Sequence, residues 1–257
     1  MMRQTMIRHT TIRQASIAAS LLLLTALSFA GSKAAAAKPI TVVDEGSFGI
    51  FQNGQRVATE TFVIRQYPDS NVTSSQLHGE SSASRLEQTS ELTLLPDGSL
   101  SRYEWKQLAP TRNTAVVEPV DQVLVMHATA ADGKPIKDQT FFLTPETFIL
   151  DDYFFSTREV LLWRYLASSC VARAGGEGCD LIKHRFPVLI PRQRISAEIF
   201  VEFKGYDDTP LNGKPQHLRH FVIQTEGPEW HLWLDANHKL LRISIPSTNT
   251  EILRQEK

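Results

Sequence analysis

Cysteine is scarce, with two residues in a chain of 257. Cys170 and Cys179 are too far apart for a Cys-x-x-Cys redox motif. Two sulfurs without a nearby histidine pair also make a poor zinc site. A basic excess is missing: 27 Lys and Arg stand against 28 Asp and Glu, a formal net charge of −1. That balance argues against a dedicated nucleic-acid binder, which should be basic, and against a broad electrostatic hold on anionic lipid. The common catalytic signatures are missing as well. The chain has no Gly-x-Ser-x-Gly elbow, no His-Glu-x-x-His, no Walker loop and no Gly-x-Gly-x-x-Gly. No catalytic residue, metal ligand or cofactor is therefore assigned from sequence. After residue 37 no apolar run approaches the roughly 20 residues that span a bilayer.

What is present begins with a leader. Arg3, Arg8 and Arg13 precede an apolar stretch over 15–30, which gives way to Ala34, Ala35, Ala36 and Ala37. A positive start, an apolar core and a small-residue cleavage zone predict a secretory signal peptide over 1–37, with cleavage after Ala30, Ala36 or Ala37. The apolar core is too short for an anchoring span. No cysteine follows it to take a lipid, and no arginine pair marks a twin-arginine signal. Without the leader, 23 basic residues face 28 acidic ones, a net of −5. The expected address is the periplasm or the exterior of a bacterial envelope. An oxidising compartment permits a structural disulfide between Cys170 and Cys179 across the Gly-rich segment between them.

Residues 38–257 are expected to form a single β-rich domain. Asn53-Gly54 between the runs 48–52 and 56–65 is a strong hairpin signal, because both turn residues must take positive φ. The polar stretch 69–91 reads as exposed edge strands. Pro96-Asp97-Gly98-Ser99 is a turn between strands 92–95 and 100–108, and 116–130 reads as a further strand region. Alternation over 197–204 and 241–245 marks half-buried strands.

One helix stands out, near 152–168. Asp151 or Asp152 is its expected cap, and Phe154, Phe155, Leu161, Leu162, Tyr165 and Leu166 recur at helical spacing. Val160 and Trp163 lie off that stripe, so the helix is apolar over most of its circumference and needs a concave wrapper. The fold class expected is α+β, predominantly antiparallel β: a curved sheet or incomplete β-barrel wrapping this helix. Trp105, Phe154, Phe155, Leu162, Trp163 and Trp233 are the candidates to line an apolar ligand site. His217 and His220 look like a metal pair. On a strand, however, an odd separation places them on opposite faces.

The segment Phe48-Gly-Ile-Phe-Gln-Asn-Gly-x-x-x-Ala-Thr-Glu60 and the closing Trp233-Leu-Asp-Ala-Asn-His-Lys-Leu-Leu-Arg-Ile-Ser-Ile-Pro246 resemble bacterial periplasmic domains of unknown function. Those domains are similar in architecture to the lipoprotein carriers of the Lol system. The resemblance implies a half-barrel closed by helix over most of 44–254 and implies no site residues. The expected function is non-enzymatic binding of a lipid, another apolar ligand or an envelope component in the concavity. The alternatives are an envelope structural or assembly protein that pairs with a partner chain, and a hydrolase with a site around His184, His217 or His220.

Overall fold

The computed structural model describes residues 39–80, 85–173, 176–179, 182–211 and 213–255. The expected signal peptide lies outside the described residues. The chain starts in the middle of its sheet and runs outward as a meander. The strands of this half are β1 (Thr41–Gln52), β2 (Gln55–Gln66), β3 (Asn71–Gly79), β4 (Glu87–Leu94), β5 (Leu100–Ala109), β6 (Asn113–Val120), β7 (Val123–Thr129) and β8 (Pro135–Phe141). It then crosses to the opposite edge through β9 (Phe148–Ile149), helix α1 (Ser156–Ser169) and the hairpin β10 (Cys170–Arg173)–β11 (Gly176–Cys179). A second meander returns inward through β12 (His184–Ile190), β13 (Ile195–Leu211), β14 (Lys214–Gln224), β15 (Trp230–Leu234), β16 (Leu240–Ile245) and β17 (Thr250–Gln255). β17 pairs with β1, Ile50 opposite Ile252, and joins the halves into one open sheet of 15 strands with edges β8 and β9. All pairings are antiparallel except β9 with β12. The architecture is α+β, mostly antiparallel β, with one helix, as the sequence leads one to expect.

The side-chain contacts of the helix show that the sheet is curled. Ser156 at its start touches Ser75 on β3, and Tyr165 near its end accepts a hydrogen bond from the Phe203 amide on β13. β3 and β13 are seven positions apart in the sheet, about 34 Å if it were flat at 4.8 Å per strand. A helix is only about 10–12 Å across, so the strands must bend around it. The edges approach each other as well, since Gln139 on β8 donates to the Arg194 carbonyl in the turn before β13. The space between helix and sheet is filled where Phe154, Leu161, Leu162 and Tyr165, all without solvent exposure, meet Phe221, Leu232, Ile243 and Ile252. Each such side chain contributes roughly 1.5–3 kcal/mol on burial.

The first hairpin turns at Asn53-Gly54 with φ of 51° and 77°. At the Pro96 turn the Asp97 carboxylate accepts from the Ser99 amide and hydroxyl. Three local expectations need correction. The region 116–130 is not one strand but parts of β6 and β7, divided at Asp121, which takes a φ of 55°. The polar stretch 69–91 supplies β3 and β4, which lie inside the sheet and not at its edge. Thr73, Ser75, Gln88 and Ser90 are buried, and two of them serve polar partners inside, Ser75 bonding Ser156 and Gln88 bonding Trp105 and Arg192. The helix begins at Ser156, and neither Asp151 nor Asp152 caps it. Asp151 instead accepts from the Tyr153 amide and the Tyr103 hydroxyl.

Candidate functional site

The two ends of α1 are built differently. At its N-terminus Phe155 occupies the capping position and offers no side-chain acceptor. The missing acceptor comes from β2, where Ala58, Glu60, Phe62 and Ile64 point inward in alternation. The Glu60 carboxylate accepts from the amides of Phe155 at 2.6 Å and Ser156 at 3.3 Å. Burial pushes its pKa up to about 7, against the hydrogen bonds from Ser156 and Phe155. Beside it, Arg158 donates to the carbonyls of Asp151 and Phe154 and lies over the rings of Phe155 and Trp230. Burial lowers the Arg158 pKa, while Asp151 and Asp152 oppose the change. Burial and the neighbouring Asp151 push the Tyr103 hydroxyl well above its ordinary value. Arg192 closes this end by packing 3.5 Å above the Tyr153 ring and 5.2 Å above Trp105. Glu60, Asp151, Ser156 and Arg158 have at most 1 % exposure, so these groups meet no solvent-borne substrate.

The helix's second half opens on a groove of about 460 Å³ lined by Trp163, Leu166, Ala167 and Cys170 on one side and Val43, Asp44, Asn237, His238 and Lys239 on the other. Trp163 is held by its indole N–H, which donates to the His238 carbonyl at 2.7 Å. Below the groove sits a buried charge cluster. Asp44 accepts two bonds from Arg254, at 2.7 and 2.8 Å, and lies 2.8 Å from the Lys239 ammonium. Burial alone would raise the Asp44 carboxyl, but hydrogen bonds from Arg254 and Lys239 outweigh it and hold the group below its ordinary value. Glu159 lies 3.6 Å from Arg254 and is pushed well above the usual range by burial and by the Asp44 charge. The disulfide Cys170–Cys179 forms and fastens hairpin β10–β11 at the end of the helix.

The six candidate lining residues are distributed between several environments. Phe154, Phe155 and Leu162 are buried in the packed interior. Trp105 packs beside that core under Arg192 and donates to Gln88. Trp163 borders the groove. Trp233 lies on the outer face of the sheet, stacked on His220 at 4.8 Å with Arg242 on its ring. The histidines do not gather into one site. His184 meets the Tyr165 ring edge-on, His217 pairs with Asp208 and stacks on Tyr206, and His220 pairs with Asp207. His217 and His220 do not converge, as strand alternation requires. The partner of His220 is instead His231, a diagonal neighbour across β14 and β15, at 3.0 Å. Burial lowers the His220 pKa, with Asp207 opposing.

Two groups escape sequence reasoning. Glu60 caps a helix 95 residues away, and its only sequence signal is a carboxylate at an inward position of an alternating strand. The His220–His231 pair requires the register of β14 on β15, which no spacing rule supplies. Comparison with family models, with characterised proteins and with solved structures finds no match to this chain.

Proposed function

We propose that this is an exported, non-enzymatic protein that binds a lipid or other apolar chain at the mouth of its half-barrel. The observation behind this is the groove along α1, where Trp163, Leu166 and Ala167 present an apolar wall beside the buried Asp44–Arg254 cluster. Its volume of about 460 Å³ lies in the range of about 300–1,000 Å³ common for small-molecule sites. The chemistry needed is burial alone. Each methylene taken out of water contributes ~0.8 kcal/mol, and a Trp ring gives a rigid surface for a chain to lie on. Val43, exposed at the start of the first strand, adds an apolar side chain to the facing wall of the groove. A curled sheet holding one helix is also the architecture expected of a Lol-type carrier. The leader and the disulfide support an exported location.

Native mass spectrometry of protein purified from the envelope, followed by titration with a fluorescent fatty acid, tests this. Co-purifying lipid and saturable binding that Trp163→Ala reduces at least tenfold are expected. A ligand-free protein that ignores the probe would contradict it. A second reading, docking of an envelope protein at edge strand β8, is favoured by one observation: Phe142 next to it is 91 % exposed. Crosslinking in cells that yields no reproducible partner, or the same partner with Phe142→Ser, would count against that reading.

A further inference from the structure

The groove beside α1 is bordered by a carboxylate and an ammonium, Asp44 and Lys239, and the two are placed differently. Asp44 is 1 % exposed and is gripped from below by the paired bonds of Arg254, itself 12 % exposed and also bound to the Glu45 carbonyl. That two-pronged contact already answers the Asp44 charge. Lys239 is 42 % exposed, and among the described residues its ammonium meets one acceptor, Asp44 Oδ1 at 2.8 Å. An ammonium carries three hydrogens, so two remain for solvent or a ligand. Glu159, without exposure, lies 3.6 Å from Arg254, and burial and the Asp44 charge favour its neutral form, so it does not cancel the surplus cation. Asp235, close by in sequence, accepts from the amides of Asn237 and Lys239 and borders a different cavity.

We infer that the groove selects an acyl chain with an anionic head group, a carboxylate or a phosphate, whose head pairs with Lys239 while its tail lies against Trp163, Leu166 and Ala167. The inference rests on the apolar-chain reading above and adds to it the charge of the head and the end of the groove that holds it. The α1 wall offers a head group nothing: the Trp163 indole N–H is taken by the His238 carbonyl, and Leu166 and Ala167 have no polar side-chain atom. The facing wall carries the ammonium. A molecule with an apolar tail and one negative end matches both walls. A cationic head would meet Lys239 as a like charge, and a neutral head would leave the ammonium without a counter-charge. The selection is local, because a net charge of −5 without the leader gives no broad attraction for anions. Water around a half-exposed ammonium keeps it modest, at about fivefold in affinity.

Isothermal titration calorimetry of the protein with decanoate, decyl phosphate, decanol and decylammonium tests this, at about pH 8, where carboxylates are ionised, and at low ionic strength. The two anions should bind about fivefold tighter than decanol, and decylammonium should bind weakest. Lys239→Met keeps a straight apolar stem and leaves Arg254 to hold Asp44. It should bring the anions down to the level of decanol and leave decanol unchanged, and Lys239→Arg should restore the preference. Salt at about 0.5 M should shrink the preference in the wild type. Tight binding of one anion alone still supports the inference and tells a carboxylate head from a phosphate head. Decanol binding as tightly as both anions, or a preference that persists in Lys239→Met, would overturn the head-group inference and leave the apolar groove standing. Binding of none of the four would overturn both.

Discussion

The N-terminal end of α1 and its C-terminal half belong to one helix of 14 residues, yet they solve opposite problems. At the start, ionisable groups are sealed in: Glu60, Asp151 and Arg158 satisfy helix-end amides, carbonyls and each other's neighbours without contact with water. In the second half the charged cluster of Asp44, Lys239 and Arg254 sits under an open groove, and an aromatic ring borders it. A fully desolvated polar end fixes where the helix enters the sheet, since few other placements satisfy those groups. A half-open end leaves an aromatic and apolar groove wall open to solvent. Under the proposed function, position and binding are divided between the two ends.

The contrast can be broken most strongly at Arg158. Removing one member of a buried charged network leaves its partners unpaired, which costs about 3–5 kcal/mol. Arg158→Ala should lose about that much in urea or guanidinium unfolding. Lys239→Ala, a half-exposed residue at the groove rim, should lose far less. Equal losses would erase the distinction between the ends.

Glu60 sharpens the contrast through pH. Its folded-state pKa is raised to about 7 from an ordinary 4.5. Between those values the folded chain holds a proton that the unfolded chain has released. Stability from this group is therefore complete below the unfolded value and falls as pH rises through the window, by about 3 kcal/mol in total. His220, whose pKa is lowered by burial, works in the opposite direction. The comparison of wild type with Glu60→Gln cancels it. Denaturant unfolding at about pH 5 and about pH 8 should show the wild type losing about 3 kcal/mol more than the variant. A difference that does not change with pH would mean that Glu60 is ionised throughout.

These two residues also show how far the sequence can be read. The helical stripe through Leu161, Leu162, Tyr165 and Leu166, the Asn53-Gly54 turn and the Cys170–Cys179 bond are local or nearly so, and they are legible from periodicity, from turn residue type and from an exported address with a Gly-rich loop respectively. Asp151 and Asp152 are the capping residues the sequence points to, because a cap is normally the neighbouring residue. Here the sheet supplies it from β2, a contact that exists only after the strands have curled. The same curl places Thr73, Ser75 and Ser90 of the apparent polar edge 69–91 on the inner face. Of the groove's lining, Trp163 is among the aromatics that the helical pattern singles out; the other wall comes from residues 43–44 and 237–239, far apart in the chain.

Two smaller effects act on the C-terminal half. Replacing both Cys170 and Cys179 by Ala opens a loop of nine intervals and should cost about 2–3 kcal/mol in the chain-entropy model. Because the bond fastens the hairpin beside the groove, probe affinity should fall with it. Trp163→Ala should cost only about 1–2 kcal/mol of stability, since the ring is half-buried, while removing most of the binding. Loss of stability with unchanged binding in either variant would separate the groove from ligand recognition.

The most direct measurement places a ligand along the helix. A fatty acid carrying a nitroxide at its chain end, added to isotope-labelled protein, broadens the amide resonances near the site it occupies. Broadening should concentrate at Trp163, Ala167 and Lys239 and spare Phe155 and Ser156. Broadening centred on Phe155 and Ser156, or none anywhere at saturating probe, would contradict a sealed first turn and a binding groove at the far end.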